Sequence, residues 1–74
     1  MSRRVKVHTY SGYKADEYPK WFEHQGKSLY VREIKSRWLE PDSRVFKVLA
    51  DDGHTYILRD RFQEHADWEL EIVK

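Results

Sequence analysis

Hydrophobic and polar residues alternate along most of this chain, in short segments separated by turn residues. In residues 4–10, Val5, Val7 and Thr9 share one side, and basic and aromatic residues share the other. Strict alternation of this kind predicts a β-strand with one buried face. Residues 20–24 and 68–72 show shorter versions of the same pattern and are also predicted strands.

The strongest local signal is an Asp-Gly pair at residues 52–53, between two alternating segments at residues 44–50 and 54–59. Asp-Gly in this position favours a tight β-hairpin, since glycine tolerates the positive φ that such turns need. The first of these segments directs three apolar residues to a single face: Phe46, Val48 and Ala50.

The longest predicted strand, residues 28–38, contains a break in its alternation. Leu29 and Val31 are in phase, whereas Ile34 is out of phase by one residue. One β-bulge near residues 32–33 restores the phase and predicts inward side chains at Ile34, Ser36 and Trp38. A brief helical turn is the alternative interpretation of this break.

The remaining segments are interpreted as connections. Residues 11–12 and 25–27 carry turn chemistry, and residues 40–43 form a loop. Residues 14–17 have the length of one helical turn, which ends where Pro19 biases Tyr18 towards extended geometry. Residues 60–67 are predicted to form a short helix or an extended loop.

With one of the short segments taken as no more than a fragment, these amount to five strands, or five and a fragment, with turns every 8–12 residues. Five short strands are too few for a sandwich, and closure removes most exposed strand edges. The predicted fold is therefore all-β, a small five-stranded SH3-like or OB-like barrel with a bulged third strand. A chain of 74 residues forms one domain at most, residues 1–74.

Composition supports a folded chain and removes several classes of protein. Eleven aromatic residues supply the apolar area that a disordered chain lacks. The absence of cysteine excludes disulfides, thiol nucleophiles and thiolate metal sites. No apolar segment approaches a membrane span, and the basic N-terminus has no apolar stretch behind it. We therefore expect a soluble, cytoplasmic protein with no membrane contact.

Catalytic chemistry has little support in the sequence. The four histidines fall on different predicted segments, without metal-ligand spacing, and no glycine-rich phosphate loop occurs. A domain of this size can hardly enclose a pocket with a triad and its supporting residues. We expect a protein that is not an enzyme, with no catalytic residues, no metal site and no cofactor.

Charge is distributed unevenly along the chain. Residues 1–37 carry nine basic and four acidic residues, and residues 38–74 carry five basic and nine acidic residues. Such asymmetry can mark a nucleic-acid partner. The alternative is that the two halves neutralise each other across neighbouring strands, which the modest pI of about 8.0 favours.

A binding function has the best support, through the basic and aromatic face of the first strand and the loop after it. Cations interleaved with rings suit phosphate contacts combined with base stacking. The alternative is that the tyrosines pack over the barrel end and the cations are only solvated. The predicted DNA- or RNA-binding residues are Arg3, Arg4, Lys6, His8, Tyr10, Tyr13 and Lys14.

A protein-interaction module is the second hypothesis. Trp21 and Phe22 are neighbours in a strand and face opposite sides, so one of them is exposed. An exposed ring beside Tyr18 favours a groove for an extended peptide, with Tyr18 and Trp21 as the contact residues. Trp38 and Trp68 are predicted core residues. A homodimer joined through an edge strand is a third possibility, so the chain is expected to be a monomer or a homodimer.

Motifs spread over nearly the whole chain resemble a family of short, uncharacterised prokaryotic proteins. They are YSGYKADE at residues 10–17, RW at 37–38, RVFKV at 44–48, DG at 52–53, YILR at 56–59 and WEL at 68–70. The second half also looks distantly like the C-terminal tail of inactive Y-family polymerase-like repair proteins. An aromatic strand, an Asp-Gly-type hairpin and a final Trp strand recur there in this order. This chain lacks the His-Gly-aromatic ending of those tails, so the resemblance carries over no partner-binding residue.

Overall fold

Six antiparallel strands close into a barrel in which each strand pairs with the next and the last returns to the first. The computed structural model describes residues 3–10, 18–61 and 68–73, with only the backbone described for Arg3 and Tyr10. The strands are β1 (Arg3–Tyr10), β2 (Tyr18–His24), β3 (Lys27–Glu40), β4 (Ser43–Ala50), β5 (Thr55–Arg61) and β6 (Trp68–Ile72).

The predicted all-β barrel is confirmed, but it has six strands rather than five. Both β2 and β6 are full strands with a paired neighbour on each side. Residues 60–61, predicted to leave the sheet, extend β5. The distinction between SH3-like and OB-like barrels stays a prediction. The predicted turn at 11–12, the helical turn at 14–17 and the segment 62–67 lie outside the described residues.

Inward-facing side chains from all six strands form one hydrophobic core. The alternation in β1 and β4 places their apolar residues inside as predicted, and Trp68 is buried as predicted. Tyr56 is the most polar member of the core. The buried cluster consists of Val5, Phe22, Leu29, Phe46, Val48, Ala50, Tyr56, Leu58, Trp68 and Leu70.

In β2 the structure decides which of two neighbouring rings is buried. Phe22 is fully buried, whereas Trp21 lies on the outer face, opposite His8 of β1 and Tyr30 of β3. A β-bulge lies at Lys20, just before Trp21. His8 pairs with Trp21 and Thr9 pairs with Pro19, so Lys20 is the extra residue between them. The extra residue bends the strand and turns the Lys20 side chain to solvent.

β3 contains two bulges, and the second one overturns a prediction. The predicted bulge is present at Arg32 and places Ile34 against the core. A second register shift between Ile34 and Ser36 reverses the alternation again. Ser36 is therefore exposed, and Trp38 is 39% exposed on the outer face rather than in the core.

The hairpin turns follow local sequence chemistry. Gly53 has φ 85° and donates its N–H to the Ala50 carbonyl at 3.0 Å, which confirms the predicted Asp-Gly hairpin. Between β2 and β3, Gln25 and Gly26 have φ values of 53° and 76°. Consecutive positive φ values make a tight turn that matches the twist of the strands.

Candidate nucleic-acid interface

Three rings form a row across the outer face of β1, β2 and β3. His8 lies opposite Trp21 in the β1–β2 register, and Trp21 lies opposite Tyr30 in the β2–β3 register. Directly opposed residues of antiparallel strands have neighbouring side chains on the same face. We call His8, Trp21 and Tyr30 the aromatic row.

The rings of the aromatic row are stacked, but at unequal distances. The His8 and Trp21 centroids are 3.7 Å apart, with planes inclined by only 7°. The Trp21 and Tyr30 centroids are 6.0 Å apart, with planes inclined by 29°. Tyr30 is 51% exposed. One end of the row is therefore closely stacked, and the other end is open to solvent.

Cations surround the aromatic row. Lys6 precedes His8 on the outer face of β1, Lys20 adjoins Trp21 at the β2 bulge, and Arg32 follows Tyr30 at the first β3 bulge. All three side chains are exposed. Within the described residues, none of these three has an ion-pair partner. No described acid neutralises their charge through an ion pair.

Two acids lie near these groups. Glu23 is opposite Lys6 in the β1–β2 register, and its Oε2 is 3.4 Å from Nε2 of His8. This contact lies at the edge of the imidazole, whose face lies on Trp21. Glu33 follows Arg32 and pairs with Leu49 of β4, so it is exposed beside the first β3 bulge. The three cations outnumber these two acids.

Most of the described residues predicted for nucleic-acid binding lie on this surface. Arg4, Lys6 and His8 are exposed on the outer side of β1, although Arg4 lies opposite Glu69 of β6 at the edge of the surface. The two residues predicted for protein binding join them, since Trp21 is in the row and Tyr18 pairs with Tyr10 beyond the bulge. Tyr13 and Lys14 lie outside the described residues, and only the backbone of Arg3 and Tyr10 is described.

Tyr30 and Lys20 were not among the predicted site residues. The alternation of Leu29 and Val31 already directs Tyr30 to solvent, so that signal was in the sequence. The position of Tyr30 opposite Trp21 depends on the β2–β3 register, and Lys20 reaches this face through a bulge that sequence reasoning missed.

A different arrangement covers the outer face of β4, β5 and β6. Arg59 donates from Nε to Glu40 at 3.1 Å and from Nη1 to Glu71 at 3.3 Å. The hydrogen bond from Arg59 is the main reason why the pKa of Glu40 lies below its ordinary range. The guanidinium pKa of Arg59 is raised in turn by its hydrogen bond to Glu40.

Arg61 extends this set of ion pairs. It donates to Asp42 at 2.9 Å and to Glu69 at 3.1 Å, so two neighbouring arginines of β5 are each held by two acids. We call Glu40, Asp42, Arg59, Arg61, Glu69 and Glu71 the ionic face. Both arginines are paired within the protein, and with four acids to two arginines the face has a net charge of −2, so it offers little to an anionic ligand.

A third polar feature lies at the mouth of the barrel, where a pocket of about 330 Å³ is lined by His24, His54 and Tyr56 among others. The Tyr56 hydroxyl donates to Asp52 at 2.6 Å, and the His54 backbone N–H donates to the same carboxylate at 3.0 Å. Burial and the bond to Asp52 raise the pKa of Tyr56 to about 12. Burial opposes ionisation of Asp52, but these hydrogen bonds outweigh it and lower the pKa of that carboxyl.

No cluster of three or more His, Cys, Asp or Glu side chains in the described part of the chain could hold a metal ion. Within residues 3–10, 18–61 and 68–73, no helix has the length and apolarity needed to cross a membrane.

Comparisons with family models, with curated proteins and with solved structures find no match for this chain. The resemblances drawn from the sequence motifs therefore stay predictions. The functional argument depends on the surface that the barrel builds.

Proposed function

We propose that this protein is a non-enzymatic nucleic-acid-binding module that uses the outer face of β1–β3. The observation that carries the proposal is the aromatic row bordered by three cations without ion-pair partners among the described residues. Lys and Arg contacts to phosphates supply salt-dependent affinity, and rings supply stacking contacts that every base can use. The ionic face has two arginines and four acids, so its net charge is −2 and it repels a polyanion, which leaves the aromatic row as the better surface.

The alternative from the sequence, a protein-interaction module, uses some of the same side chains. Tyr18 is 38% exposed beside the row, and Trp21 is half-buried. A peptide held by rings alone would bind with little dependence on salt. A polyanion held by Lys6, Lys20 and Arg32 would lose affinity steeply as salt rises.

The test is fluorescence anisotropy with labelled single-stranded and duplex DNA and RNA at about 50 and about 200 mM salt. The variant Lys6→Gln is compared with Lys47→Gln. Both remove one positive charge, but Lys47 is on the outer side of β4, three strands away round the barrel. We expect Lys6→Gln to weaken binding about threefold at low salt and to reduce the salt slope by about 1.

Two results would overturn this function. Absence of binding to every oligonucleotide at low salt would reject it outright. Equal losses in Lys6→Gln and Lys47→Gln would show that net charge alone attracts the ligand and that the aromatic row is not the surface. Binding of a partner protein that persists at high salt would favour the protein-interaction module instead.

A further inference from the structure

The two ring contacts of the aromatic row differ: His8 and Trp21 are closely stacked, whereas Trp21 and Tyr30 are further apart. Stacking at 3.7 Å with nearly parallel planes means that His8 already covers one face of Trp21. A base cannot enter there without displacing the imidazole, which Glu23 also holds at its edge. Further ring contacts must therefore be made at the Trp21–Tyr30 side of the row.

Tyr30 forms the open end of the row. Its ring centroid is 6.0 Å from that of Trp21 and the two planes are inclined by 29°, a looser contact than the one between His8 and Trp21. Because Tyr30 is 51% exposed, an incoming base can stack on its ring without displacing a core residue.

The cations lie on both sides of the row, where the backbone of a stacked nucleotide would pass. Lys6 is one outer-face position away from His8, and residues two apart in a strand are separated by about 7 Å. On the opposite side of the row, Lys20 and Arg32 are exposed next to Trp21 and close to Tyr30. A strand with a base in the row therefore meets positive charge on both sides.

From this geometry we infer that the aromatic row binds single-stranded nucleic acid and stacks one unpaired base on the exposed ring of Tyr30. The inference rests on the proposed function and specifies its ligand. A duplex keeps its bases stacked and presents only phosphates to this surface. A single strand offers both the phosphate charge and a free ring face.

The experiment compares three labelled ligands of about 12 nucleotides, a length within the range of small single-strand sites. They are oligo-dT, oligo-U and an abasic strand that has the same phosphates without bases. Each is titrated with wild type, Tyr30→Ala, Tyr30→Phe and Lys6→Gln. Far-UV circular dichroism and thermal melting check that every variant is folded.

We expect wild type to bind the base-containing strands at least fivefold more tightly than the abasic strand. Tyr30→Ala should remove most of that difference and leave abasic binding unchanged, whereas Tyr30→Phe should retain it. Lys6→Gln should weaken the binding of all three ligands by a similar factor. Any preference between oligo-dT and oligo-U identifies the natural source of the base.

The outcomes separate the two proposals. If Lys6→Gln weakens binding but Tyr30→Ala does not, the surface binds nucleic acid and base stacking on Tyr30 is wrong. Equal affinity of wild type for abasic and base-containing strands also rejects base stacking. If wild type binds none of the ligands, the proposed function itself fails.

Discussion

The aromatic row and the ionic face occupy different parts of the outer surface of one barrel, and they use their cations in opposite ways. Arg59 and Arg61 each donate to two carboxylates of the protein. Lys6 and Lys20 have rings and a single acid for neighbours, and neither has an ion pair within the described residues. The comparison teaches that exposed positive charge marks a binding surface only where the fold leaves it unneutralised.

The difference follows from which strands are neighbours. β5 lies between β4 and β6, and the acids on β6 and around the β3–β4 turn reach its arginines. β1 and β2 instead bring His8 and Trp21 together. The uneven distribution of charge along the chain thus leaves a net negative charge on the ionic face, where both arginines are paired, and cations without ion pairs among the described residues beside the aromatic row.

The largest expected effect is on the free energy of unfolding, and it distinguishes the inward-facing ring of β2 from the outward-facing ring beside it. Phe22→Ala should lower the free energy of unfolding by about 3–5 kcal/mol, because it leaves a cavity in the core. Trp21→Ala should cost about 1 kcal/mol, since it removes stacking at the surface. Urea denaturation measures both. Equal costs would show that Trp21 is a structural residue and would weaken its role in binding.

The next test removes the central arginine of the ionic face. Val45 is fully buried although it lies on the outer side of β4, opposite Trp38 and Arg59. Arg59→Ala should therefore cost about 1 kcal/mol, through lost cover over Val45 as well as lost ion pairs. Lys47→Ala on the same strand pair is the control and should cost less than about 0.5 kcal/mol. If the two variants unfold at the same urea concentration, the ionic face contributes nothing to stability.

A comparable or smaller effect on the free energy of unfolding is expected at the barrel mouth, which belongs to neither the aromatic row nor the ionic face. Tyr56→Phe removes the hydrogen bond to Asp52 and should cost about 1 kcal/mol at neutral pH. The pKa of Tyr56 is raised from 10.0 to about 12, so its contribution is complete below pH 10 and is lost as pH rises towards 12. Unfolding free energies measured across that range should fall in wild type. Tyr56→Phe should show a weaker decline, and identical declines would contradict the assignment.

The smallest expected effect is the response of the ionic face to acid. The hydrogen bond from Arg59 lowers the pKa of Glu40, so the stability it adds is present above the unfolded-state value. That stability should be lost as pH falls below about 5. Glu40→Gln should flatten this part of the profile of unfolding free energy against pH, whereas Lys6→Gln should leave it unchanged. A change of the same size in Lys6→Gln would mean that the two faces are electrostatically coupled.

Much of the candidate site was accessible from sequence because alternation is a local property. The outward directions of Lys6, His8 and Tyr30 follow from the apolar residues between them. Which ring lies beside which depends on pairing between strands, and no local pattern specifies that pairing. Trp38 shows the limit most clearly: one unrecognised bulge moved it from the predicted core to the outer face.

The sequence by itself determined the all-β class, the hairpin at residues 52–53, the buried faces of β1 and β4 and the exposed cations of β1. The strand features depend on side chains that alternate between the two faces of a strand. The hairpin depends on the positive φ that glycine tolerates at a turn. Only the tertiary structure decided the number of strands, the second bulge of β3, and the stacking of His8, Trp21 and Tyr30. These depend on register and closure, which bring together residues distant in the chain.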